Sequence, residues 1–541
     1  MWTQNYTPVA DSLGLSTLVA AIPIFVLVLL LGILRKPAWI ASLTGLAAAA
    51  LLAGGVYHMP AGPLFGAILY GGLFGLFPIG WVVFTAVLLY RITQEEGQFK
   101  IIKDSIGHLT GDPRLQALLI AFAFGAFVEG AAGFGTPVAV AAAMLTGLGF
   151  SPFFSAAICL LANTCPVAFG SIGIPIVTLA GTTGLPLAKL SAATGRICAP
   201  ISLFVPAYLI AVMGGWSGLA GVIPAVAICG IVFAGVQFLV SNFVGVQLTD
   251  ILASLAAMGC LVLLFRVWKP SDKFVMAEGH TPQVMDAAPT GKQLIRAWSP
   301  YALLVVIVLL WGYAPFAAKL NHASVFFNWP GLHNVVQRIP PVVKTASLYP
   351  AVYNFNWLSA SGTACLIASI FSAILLGMSP SRFFKVLGGT ASQLAKAELT
   401  MAAVLALAYI MNYCGATGTL GLALAGTGAM FPFFSSFLGW LGVFLTGSDT
   451  SANALFGNLQ VVTANQLGMN PVLMAAANSG GGVMGKMISL TSIAVASAAT
   501  GMKHSDETRL FRFTLRHSVI LVIAIGLVVG FYAYVAPQLA P

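Results

Sequence analysis

The segment Gly125-Ala-Phe-Val-Glu129-Gly-Ala-Ala-Gly-Phe-Gly-Thr-Pro137 places a carboxylate, four glycines and a proline inside sequence that is otherwise apolar enough to cross a membrane. An ionisable side chain at bilayer depth costs at least about 2.5 kcal/mol, so it is retained mainly where it faces a polar cavity or pathway. Irregular backbone at that depth survives only where protein surrounds it or where it lines a cavity. The segment therefore predicts a broken membrane helix beside a polar pathway, with Glu129 facing that pathway.

A second segment of this kind, Gly442-Val-Phe-Leu-Thr-Gly-Ser-Asp449-Thr-Ser-Ala-Asn453, lies in the other half of the chain. Broken hydrophobic segments at matching positions of two halves indicate a secondary transporter whose binding site lies where the repeats meet. Chance similarity between glycine-rich apolar sequences is the alternative. Three short patterns occur in the same order in both halves: Gly125-x-Phe127-x-x-Gly130 with Gly442-x-Phe444-x-x-Gly447, Leu148-Gly-x-x-Pro152 with Leu467-Gly-x-x-Pro471, and Ala162-Asn163-Thr164 with Ala477-Asn478-Ser479.

The composition excludes a soluble globular protein. Charged residues make up 7% of the chain and hydrophobic residues 59%, with a mean hydropathy of +0.96, whereas soluble domains carry roughly 25% charged residues. Runs such as Ile22 to Leu34 are continuously apolar, unlike the alternating strands of a transmembrane β-barrel. The sequence predicts an all-α polytopic membrane protein with about 12–14 transmembrane helices. It also predicts an internal repeat, taken as inverted, with broken or re-entrant helices.

The organisation along the chain follows from these interruptions. Residues 1–269 are predicted to form an N-terminal transmembrane half, with polar breaks at 125–137 and 162–175. The polar, proline-containing stretch 270–298 is predicted to be a cytoplasmic linker, and 318–349 an aromatic external loop. Residues 299–541 form the C-terminal half, with polar breaks at 442–453 and 477–489. The predicted spans lie near 15–34, 38–56, 64–90, 115–128, 153–169, 199–214, 217–240, 248–267, 300–316, 357–377, 399–412, 433–446, 471–478 and 518–535.

The formal net charge of +10 comes from lysines and arginines in short loops between spans, so it indicates membrane topology rather than nucleic-acid binding. Basic residues such as Arg35, Lys100 and Lys385 fall in alternate loops. This pattern predicts a periplasmic N-terminus in a bacterial inner membrane. The first apolar segment lacks a basic n-region and a cleavage site, so it is expected to be a retained helix. Seven cysteines in apolar context have no metal-ligand spacing, which predicts packing roles and no metal site.

Two carboxylates are candidates for coupling to an ion. Glu129 is flanked by apolar and small residues, and desolvation disfavours the charged form of a carboxyl, which suits a proton carrier. The alternative is a structural carboxylate permanently paired with Lys486 or Arg196. Asp449 follows Ser448 and precedes Thr450 and Ser451, so it ranks second for the proton and higher for gating or ion binding. Asp250 lies near a span end and is expected at the membrane interface.

The run Gly480-Gly-Gly-Val-Met-Gly485-Lys486-Met487 nearly matches a phosphate-binding loop, but Met487 replaces the metal-binding hydroxyl. Glycines that turn backbone N–H groups towards an anion, followed by a lysine, would suit a small carboxylate. Lys486 and Gly485, and the backbone at Gly133, are therefore candidate substrate contacts. Arg196 is a candidate bidentate clamp for a carboxylate. Snorkelling of Lys486 and membrane anchoring by Arg196 are the alternatives.

Neutral polar groups at the matched breaks complete the candidate site. They could hold a substrate carboxylate or hydroxyl, and hydrogen bonding between helices is the alternative. The sequence shows no Ser/His/Asp set and no metal cluster, so neither an enzyme nor a cofactor is expected. These neutral candidates are Asn163, Thr164, Asn478 and Ser479.

Over essentially its full length the chain resembles the bacterial lactate permease family. The resemblance is carried by Gly125-Ala-Phe-Val-Glu-Gly-Ala-Ala-Gly-Phe-Gly135, Asn163-Thr-Cys-Pro-Val-Ala-Phe-Gly170, Leu438-Gly-Trp-Leu-Gly-Val-Phe-Leu-Thr-Gly-Ser-Asp-Thr450 and Gly481-Gly-Val-Met-Gly-Lys-Met-Ile-Ser489. It departs at Thr136 and Cys165, where alanine is expected, and at Leu490-Thr491, where Pro-Gln is expected. These departures bear on fine substrate preference rather than on the class.

The resemblance implies uptake of L-lactate, with D-lactate and glycolate as further substrates, in symport with protons across the bacterial inner membrane. The family is similar in organisation to transporters built from inverted repeats, which implies an elevator-like motion and a homodimer by analogy. Two alternatives stay open from the residues: a sodium-coupled carboxylate transporter, since hydroxyls and carbonyls near Asp449 could bind sodium, and a small-anion channel.

Overall fold

The computed structural model describes residues 1–133, 135–272, 274 and 289–541. Most of the predicted linker 270–298 lies outside the described residues. The last part of that stretch is not a linker, because a helix begins at Gly291. Thr290 caps this helix by accepting a hydrogen bond from the backbone N–H of Gln293, and the Gln293 side chain accepts one from the backbone N–H of Thr290, which satisfies two otherwise unpaired donors.

Helices account for most of the described chain. The α-helices are α1 (Leu13–Ala20), α2 (Ile22–Val28), α3 (Ala38–Gly55), α4 (Ala61–Phe74), α5 (Trp81–Glu95), α6 (Gln98–Gly107), α7 (Pro113–Gln116), α8 (Gly125–Ala131), α9 (Thr136–Gly147), α10 (Pro152–Ala162), α11 (Gly170–Thr183), α12 (Leu187–Ala220), α13 (Ile223–Phe243), α14 (Thr249–Val267), α15 (Gly291–Gly312), α16 (Ala314–Asn321), α17 (Ser361–Leu376), α18 (Pro380–Cys414), α19 (Ala416–Leu424), α20 (Phe431–Thr446), α21 (Asp449–Gln466), α22 (Pro471–Gly485), α23 (Leu490–Thr500) and α24 (His504–Gly530).

Shorter helical turns connect or extend these helices. The π-helical turns are Leu29–Ile33, Gly75–Gly80, Ala117–Phe124 and Phe531–Val535, and the 3₁₀ turns are Val167–Phe169, Val246–Leu248, Ala425–Met430, Lys486–Ile488 and Pro537–Leu539.

Eleven helical stretches of the described residues are long and apolar enough to cross a membrane, and the number rises to 13 if each of two bent helix pairs is one span. The pairs are Pro152–Ala162 with Val167–Thr183, bent by 66°, and Pro471–Ile488 with Leu490–Thr500, bent by 42°. The predicted class, a multi-pass helical membrane protein with broken helices, is confirmed. The internal repeat stays a prediction.

The helices differ from the predicted spans mainly where the sequence is polar or glycine-rich. Helices α9, α11, α21 and α23 fall in stretches that the prediction left without a span. Glycine and polar residues interrupt the apolar runs in these stretches, and the helices pack on one another, α9 on α23 and α11 on α21. Helix α18 runs from Pro380, well before the predicted start at 399, because its first turns carry polar residues beyond the apolar run.

Five short strands cover one end of the helices: β1 (Trp2–Thr3), β2 (Val325–Asn328), β3 (Val336–Arg338), β4 (Ser347–Leu348) and β5 (Val352–Phe355). Strand β1 pairs in parallel with β3, which pairs antiparallel with β4, and β2 pairs antiparallel with β5. The predicted loop 318–349 is thus partly ordered as strands. It also lies on the same side of the molecule as the N-terminus, in keeping with the charge pattern.

Two groups of helices matter for the site. The first, which we call the inner bundle, consists of α8–α11 and α20–α23, and these helices pack on one another. The second, which we call the frame, consists of α3–α5 and α18. The span Pro113–Ala131, which ends in α8, is 100% buried inside the protein. Glu129, near the end of this span, is therefore shielded from lipid by protein.

A fully buried guanidinium, that of Arg114, fastens the start of this span to the segment after α14. It donates hydrogen bonds to both carboxylate oxygens of Asp112, at 3.1 and 2.7 Å, and to both of Asp272, at 2.7 and 3.0 Å. It also donates one to the carbonyl oxygen of Gly218 at 3.1 Å, so all five N–H groups of the guanidinium are used. These bonds hold the pKa of Asp272 below its ordinary value.

The direction of this pKa shift decides the pH range in which the contact between Arg114 and Asp272 stabilises the fold. A carboxyl whose pKa is lower in the folded chain than in the unfolded chain stabilises the fold at pH values above its unfolded pKa, which is about 3.9 for Asp. That contribution is lost as the pH falls through the lower, folded value. The Asp272 contact is therefore intact throughout the physiological range.

We expect Arg114→Leu to lower the free energy of unfolding by about 2 kcal/mol, because it removes the hydrogen bonds of a buried guanidinium, while the two carboxylates keep contact with water. Thermal unfolding in detergent measures this change. The matched control is Arg382→Leu, which breaks a more exposed ion pair with Glu96 at 2.9 Å and should cost at most about 1 kcal/mol. Equal losses of unfolding free energy in the two variants would show that the buried contacts of Arg114 stabilise the protein no more than an exposed ion pair does.

Candidate functional site

Two helix interruptions bring the predicted polar residues together. Helix α8 ends at Ala131, and Gly133 and Gly135 follow with φ of 60° and 80°, a conformation that glycine adopts without strain. Helix α20 ends at Thr446, and Gly447 has φ of 73°. The Ser448 hydroxyl then accepts a hydrogen bond from the backbone N–H of Ser451 at 3.3 Å and so caps α21. Asp449 consequently occupies the first turn of a helix, where the dipole favours a negative charge.

A cavity of about 240 Å³ lies between these interruptions and the frame. Two carboxylates, Glu129 and Asp449, and one ammonium, Lys486, line it. Ala38 of α3 and Ala397, Thr400 and Met401 of α18 form the wall on the side of the frame. The remaining polar wall consists largely of hydroxyls: Ser171, Thr446, Ser448, Thr450, Ser451, Thr491 and Ser492.

Lys486 is the cation of this cavity. Its side chain is 9% exposed, and Nζ donates a hydrogen bond to the carbonyl oxygen of Gly447 at 2.7 Å. It interacts electrostatically with both Glu129 and Asp449, although no ion pair within 4 Å joins them among the described residues. An ammonium has three N–H bonds, so Lys486 keeps donors for an anion that enters the cavity.

Glu129 is 4% exposed and accepts a hydrogen bond from Asn163 Nδ2 at 3.2 Å. A Cβ atom at Gly170 would lie 2.6 Å from Glu129 Oε1, so a side chain at that position would displace the carboxylate. Asn163 is therefore the residue that orients Glu129, and Gly170 provides the space for it.

Asp449 is held by more donors than Glu129. Its Oδ2 accepts hydrogen bonds from Ser479 Oγ at 2.5 Å and from Asn453 Nδ2 at 3.2 Å. Asn478 donates to Asn453 Oδ1 at 2.9 Å, and Gln460 donates to Asn478 Oδ1 at 3.1 Å. Asp449 is therefore held in place by two direct donors and the amides behind them, whereas Asn163 donates the single hydrogen bond seen to Glu129 among the described residues.

The structure distributes the predicted residues over two layers. Glu129, Asp449 and Lys486 line the cavity together. Asn163 and Ser479 lie behind the wall and bind its carboxylates, and Asn478 supports Asn453 one step further away. The Thr164 hydroxyl donates to the carbonyl oxygen of Leu161 at 2.8 Å, and a Cβ at Gly133 would overlap the Ser171 hydroxyl. Neither Thr164 nor Gly133 lines the cavity.

The sequence suggests a glycine loop at residues 480–485, but the structure has a helix there. Helix α22 continues through Asn478 and Ser479 to Gly485, so the backbone bends only after that residue. A Cβ at Gly481 would overlap the carbonyl of Ser436, and one at Gly485 would overlap that of Trp440. These glycines repeat every four residues and let α22 touch the backbone of α20, as small residues do at membrane helix interfaces. Gly485 is therefore a packing residue.

In the structure, Arg196 contacts other helices and not the cavity. Its Nε donates a hydrogen bond to Asn242 Oδ1 at 2.8 Å, and its Nη1 donates to the carbonyl oxygen of Leu539. Arg196 does not line the cavity. It connects α12 to α13 and to the end of the chain. Two nitrogens of its guanidinium are therefore bonded to the protein itself.

Two features of the site escaped the sequence analysis. Three hydroxyl residues of the wall, Thr400, Thr491 and Ser492, lie outside the predicted polar breaks. Asp250, expected at the membrane interface, is 1% exposed. Both of its carboxylate oxygens lack a hydrogen-bond partner among the described residues, and its Cβ would lie 2.9 Å from a Cβ at Gly130. The residues that follow Asp250 are largely apolar, but Gln247 and Thr249 precede it, so its local sequence carries little signal of its burial.

A family model described as L-lactate permease matches residues 16–536. The chain belongs to the L-lactate permease family. It is 44% identical to the L-lactate permease of Escherichia coli strain K12, with all of both chains covered. It is also 44% identical to the L-lactate permease of Bacillus subtilis strain 168, again over the full length of both.

The chain is also similar to other transport proteins. The chain is 44% identical to the glycolate permease GlcA of Escherichia coli strain K12, which covers 99% of this chain and 98% of that protein. Among solved structures, the YdaH transporter of Alcanivorax borkumensis matches 96% of this chain and 98% of its own at 15% identity, with a TM-score of 0.47. Family membership makes the chain a transporter and not an enzyme, as the sequence predicts.

Proposed function

We propose that this permease takes up L-lactate, together with D-lactate and glycolate, in symport with protons across a bacterial inner membrane. The observation that supports this most directly is a cavity whose wall joins one ammonium, two carboxylates and a ring of hydroxyls. Its dimensions and chemistry suit a small 2-hydroxycarboxylate, which needs a cation for its carboxylate and hydrogen bonds for its hydroxyl. Relatives at 44% identity carry the names of lactate and glycolate permeases.

Each group has a distinct role in this proposal. Lys486 binds the substrate carboxylate through the N–H bonds that Gly447 does not use. Hydroxyls such as Ser448 and Thr491, which face the same space, bind the substrate hydroxyl. Glu129 carries the proton, because it accepts fewer hydrogen bonds than Asp449. Asp449 stays anchored by its amide chain and balances the charge of Lys486.

The ammonium also argues for protons over sodium. A sodium ion near Asp449 would need carbonyl and hydroxyl oxygens as ligands, and the carbonyl of Gly447 is already bonded to Lys486 Nζ at 2.7 Å. A second cation there would face the repulsion of a fixed charge at close range. The proposed periplasmic N-terminus follows from the positive-inside rule. An elevator-like motion is consistent with a cavity between the inner bundle and the frame, and a homodimer remains a prediction by analogy.

The test is uptake of radiolabelled L-lactate into proteoliposomes that contain the purified protein, with an imposed pH gradient. Accumulation that collapses with a protonophore and does not require sodium is the expected result, and D-lactate and glycolate should compete. Flux that depends on sodium would overturn proton coupling. Flux that only equilibrates L-lactate would point to a channel, and the absence of any flux would overturn the assigned substrate.

A further inference from the structure

A second, larger cavity adjoins the first one. It has a volume of about 660 Å³ and lies between α9 of the inner bundle and helices α5, α6 and α18. On the side of α9 it is lined by Thr136, Ala139 and Ala143, which lie on one face of the helix because they recur at three- and four-residue spacing. We call this space the lysine vestibule, since Lys100 and Lys103 line it on the side of α6.

The two cavities share two wall residues, Gly135 and Val495. A Cβ at Gly135 would lie 3.6 Å from Cγ2 of Val495, so the interruption after α8 and helix α23 are in contact where the cavities meet. Among the described residues, Val495 is thus the side chain that lies between the two spaces, and Gly135 faces it without a side chain.

The two cavities also follow one another along α18. Gln393 lines the lysine vestibule, whereas Ala397, Thr400 and Met401 line the first cavity. These positions share one face of the helix, and seven residues separate Gln393 from Thr400, which corresponds to about 10 Å along the axis. The two cavities therefore lie one after the other along the same face of α18, between this helix and the inner bundle.

The charges of the vestibule suit an anion. Lys100 and Lys103 form no ion pair within 4 Å among the residues that the structure describes. The acidic residue of α6, Asp104, does not line the cavity. Clefts with walls of low dielectric constant and one sign of charge focus the field and raise the local concentration of a counter-ion.

We propose that the lysine vestibule is a transit site for small carboxylate anions between the first cavity and the basic, cytoplasmic side of the membrane. Lys100 and Lys103 concentrate the anion, and Val495 forms the narrow point that it must pass. This inference rests on the proposed function, because it takes the first cavity as the substrate site.

The first test measures initial rates of L-lactate uptake separately in right-side-out and inside-out membrane vesicles. For the double variant Lys100→Gln/Lys103→Gln, we expect KM at the cytoplasmic face to rise about threefold to tenfold. The maximal rate at that face should stay unchanged, and added salt should matter less than in the unmodified protein. The ratio kcat/KM should fall by the same factor for transport in both directions, because a substitution cannot change the equilibrium of the transported substrate. The control, Lys269→Gln/Lys385→Gln, removes two charges of the same predicted side, one after α14 and one near the start of α18, and neither residue lines the vestibule.

The second test addresses the narrow point. Val495→Trp should reduce the maximal rate more than tenfold while L-lactate still raises the thermal stability of the purified protein. If the unmodified protein moves no L-lactate, the proposed function is overturned. If it does, but the lysine variant keeps its KM or the control shifts KM equally, or Val495→Trp transports normally, the vestibule is overturned. A Val495→Trp protein that does not fold leaves the lysine test decisive.

Discussion

Glu129→Gln is expected to abolish the accumulation of L-lactate driven by a pH gradient while leaving exchange of L-lactate across the membrane intact. Glutamine keeps the size of the side chain and an oxygen that can accept the Asn163 hydrogen bond, present at 3.2 Å, but it cannot carry a proton. One pH unit corresponds to about 1.4 kcal/mol, which supports about tenfold accumulation at one proton per substrate. We expect the variant to reach a ratio near one in proteoliposomes.

Two further carboxylate variants make this prediction specific. Glu398→Gln alters a partly buried glutamate of α18 that does not line the cavity, and it should accumulate L-lactate normally. Asp449→Asn should impair binding and exchange, because it changes the group that Ser479 and Asn453 hold. If Glu129→Gln accumulates L-lactate and Asp449→Asn only exchanges it, the two carboxylates have the opposite roles.

Lys486→Met should lower kcat/KM for L-lactate by about two orders of magnitude. Methionine retains the length and much of the apolar volume of the lysine stem, but it removes the cation that the substrate carboxylate needs. A hydrogen bond between charged groups contributes about 1.5–3 kcal/mol, and about 1.4 kcal/mol corresponds to a factor of ten. Initial uptake rates over a range of L-lactate concentrations measure the effect.

The matched control for this variant is Lys189→Met, which makes the same change at an exposed position of α12 away from the cavity. It should keep kcat/KM within about twofold, a change of no more than about 0.4 kcal/mol. Lys486 also interacts with Glu129, so the double variant Lys486→Met/Glu129→Gln tests whether any loss of folding comes from an unbalanced charge. A Lys486→Met protein that folds and transports as well as the control would show that the carboxylate is bound elsewhere.

The sequence predicts the class of the fold and the central groups of the site because both depend on local composition. Charge is so costly at bilayer depth that Glu129, Asp449 and Lys486 stand out from the apolar sequence around them, and the structure places all three in one cavity wall. The helix breaks near Gly133 and Gly447 were visible for a similar reason, since glycine marks positions of positive φ.

What the sequence could not predict depends on which helices become neighbours. The glycines from Gly480 to Gly485 have the composition of an anion-binding loop, yet the contact of α22 with α20 makes them packing residues. Arg196 is an arginine in an apolar stretch, which suggests that it binds a carboxylate, yet its Nε donates a hydrogen bond to Asn242 of the adjacent helix. Asp250 looks like a residue of a span end, yet α8 covers it. Each of these outcomes was decided by a contact far away in sequence.

The pairing of Trp2 with Val336 has a consequence for the order of events during synthesis. Strand β1 cannot pair with β3 until more than half of the polypeptide has left the ribosome. At roughly 5 to 20 residues per second, the N-terminal segment must wait roughly 20 to 70 seconds on its side of the membrane before that small sheet can close. Closure of the sheet therefore comes late, after the first helices have already inserted, and it reports that both halves of the chain have come together.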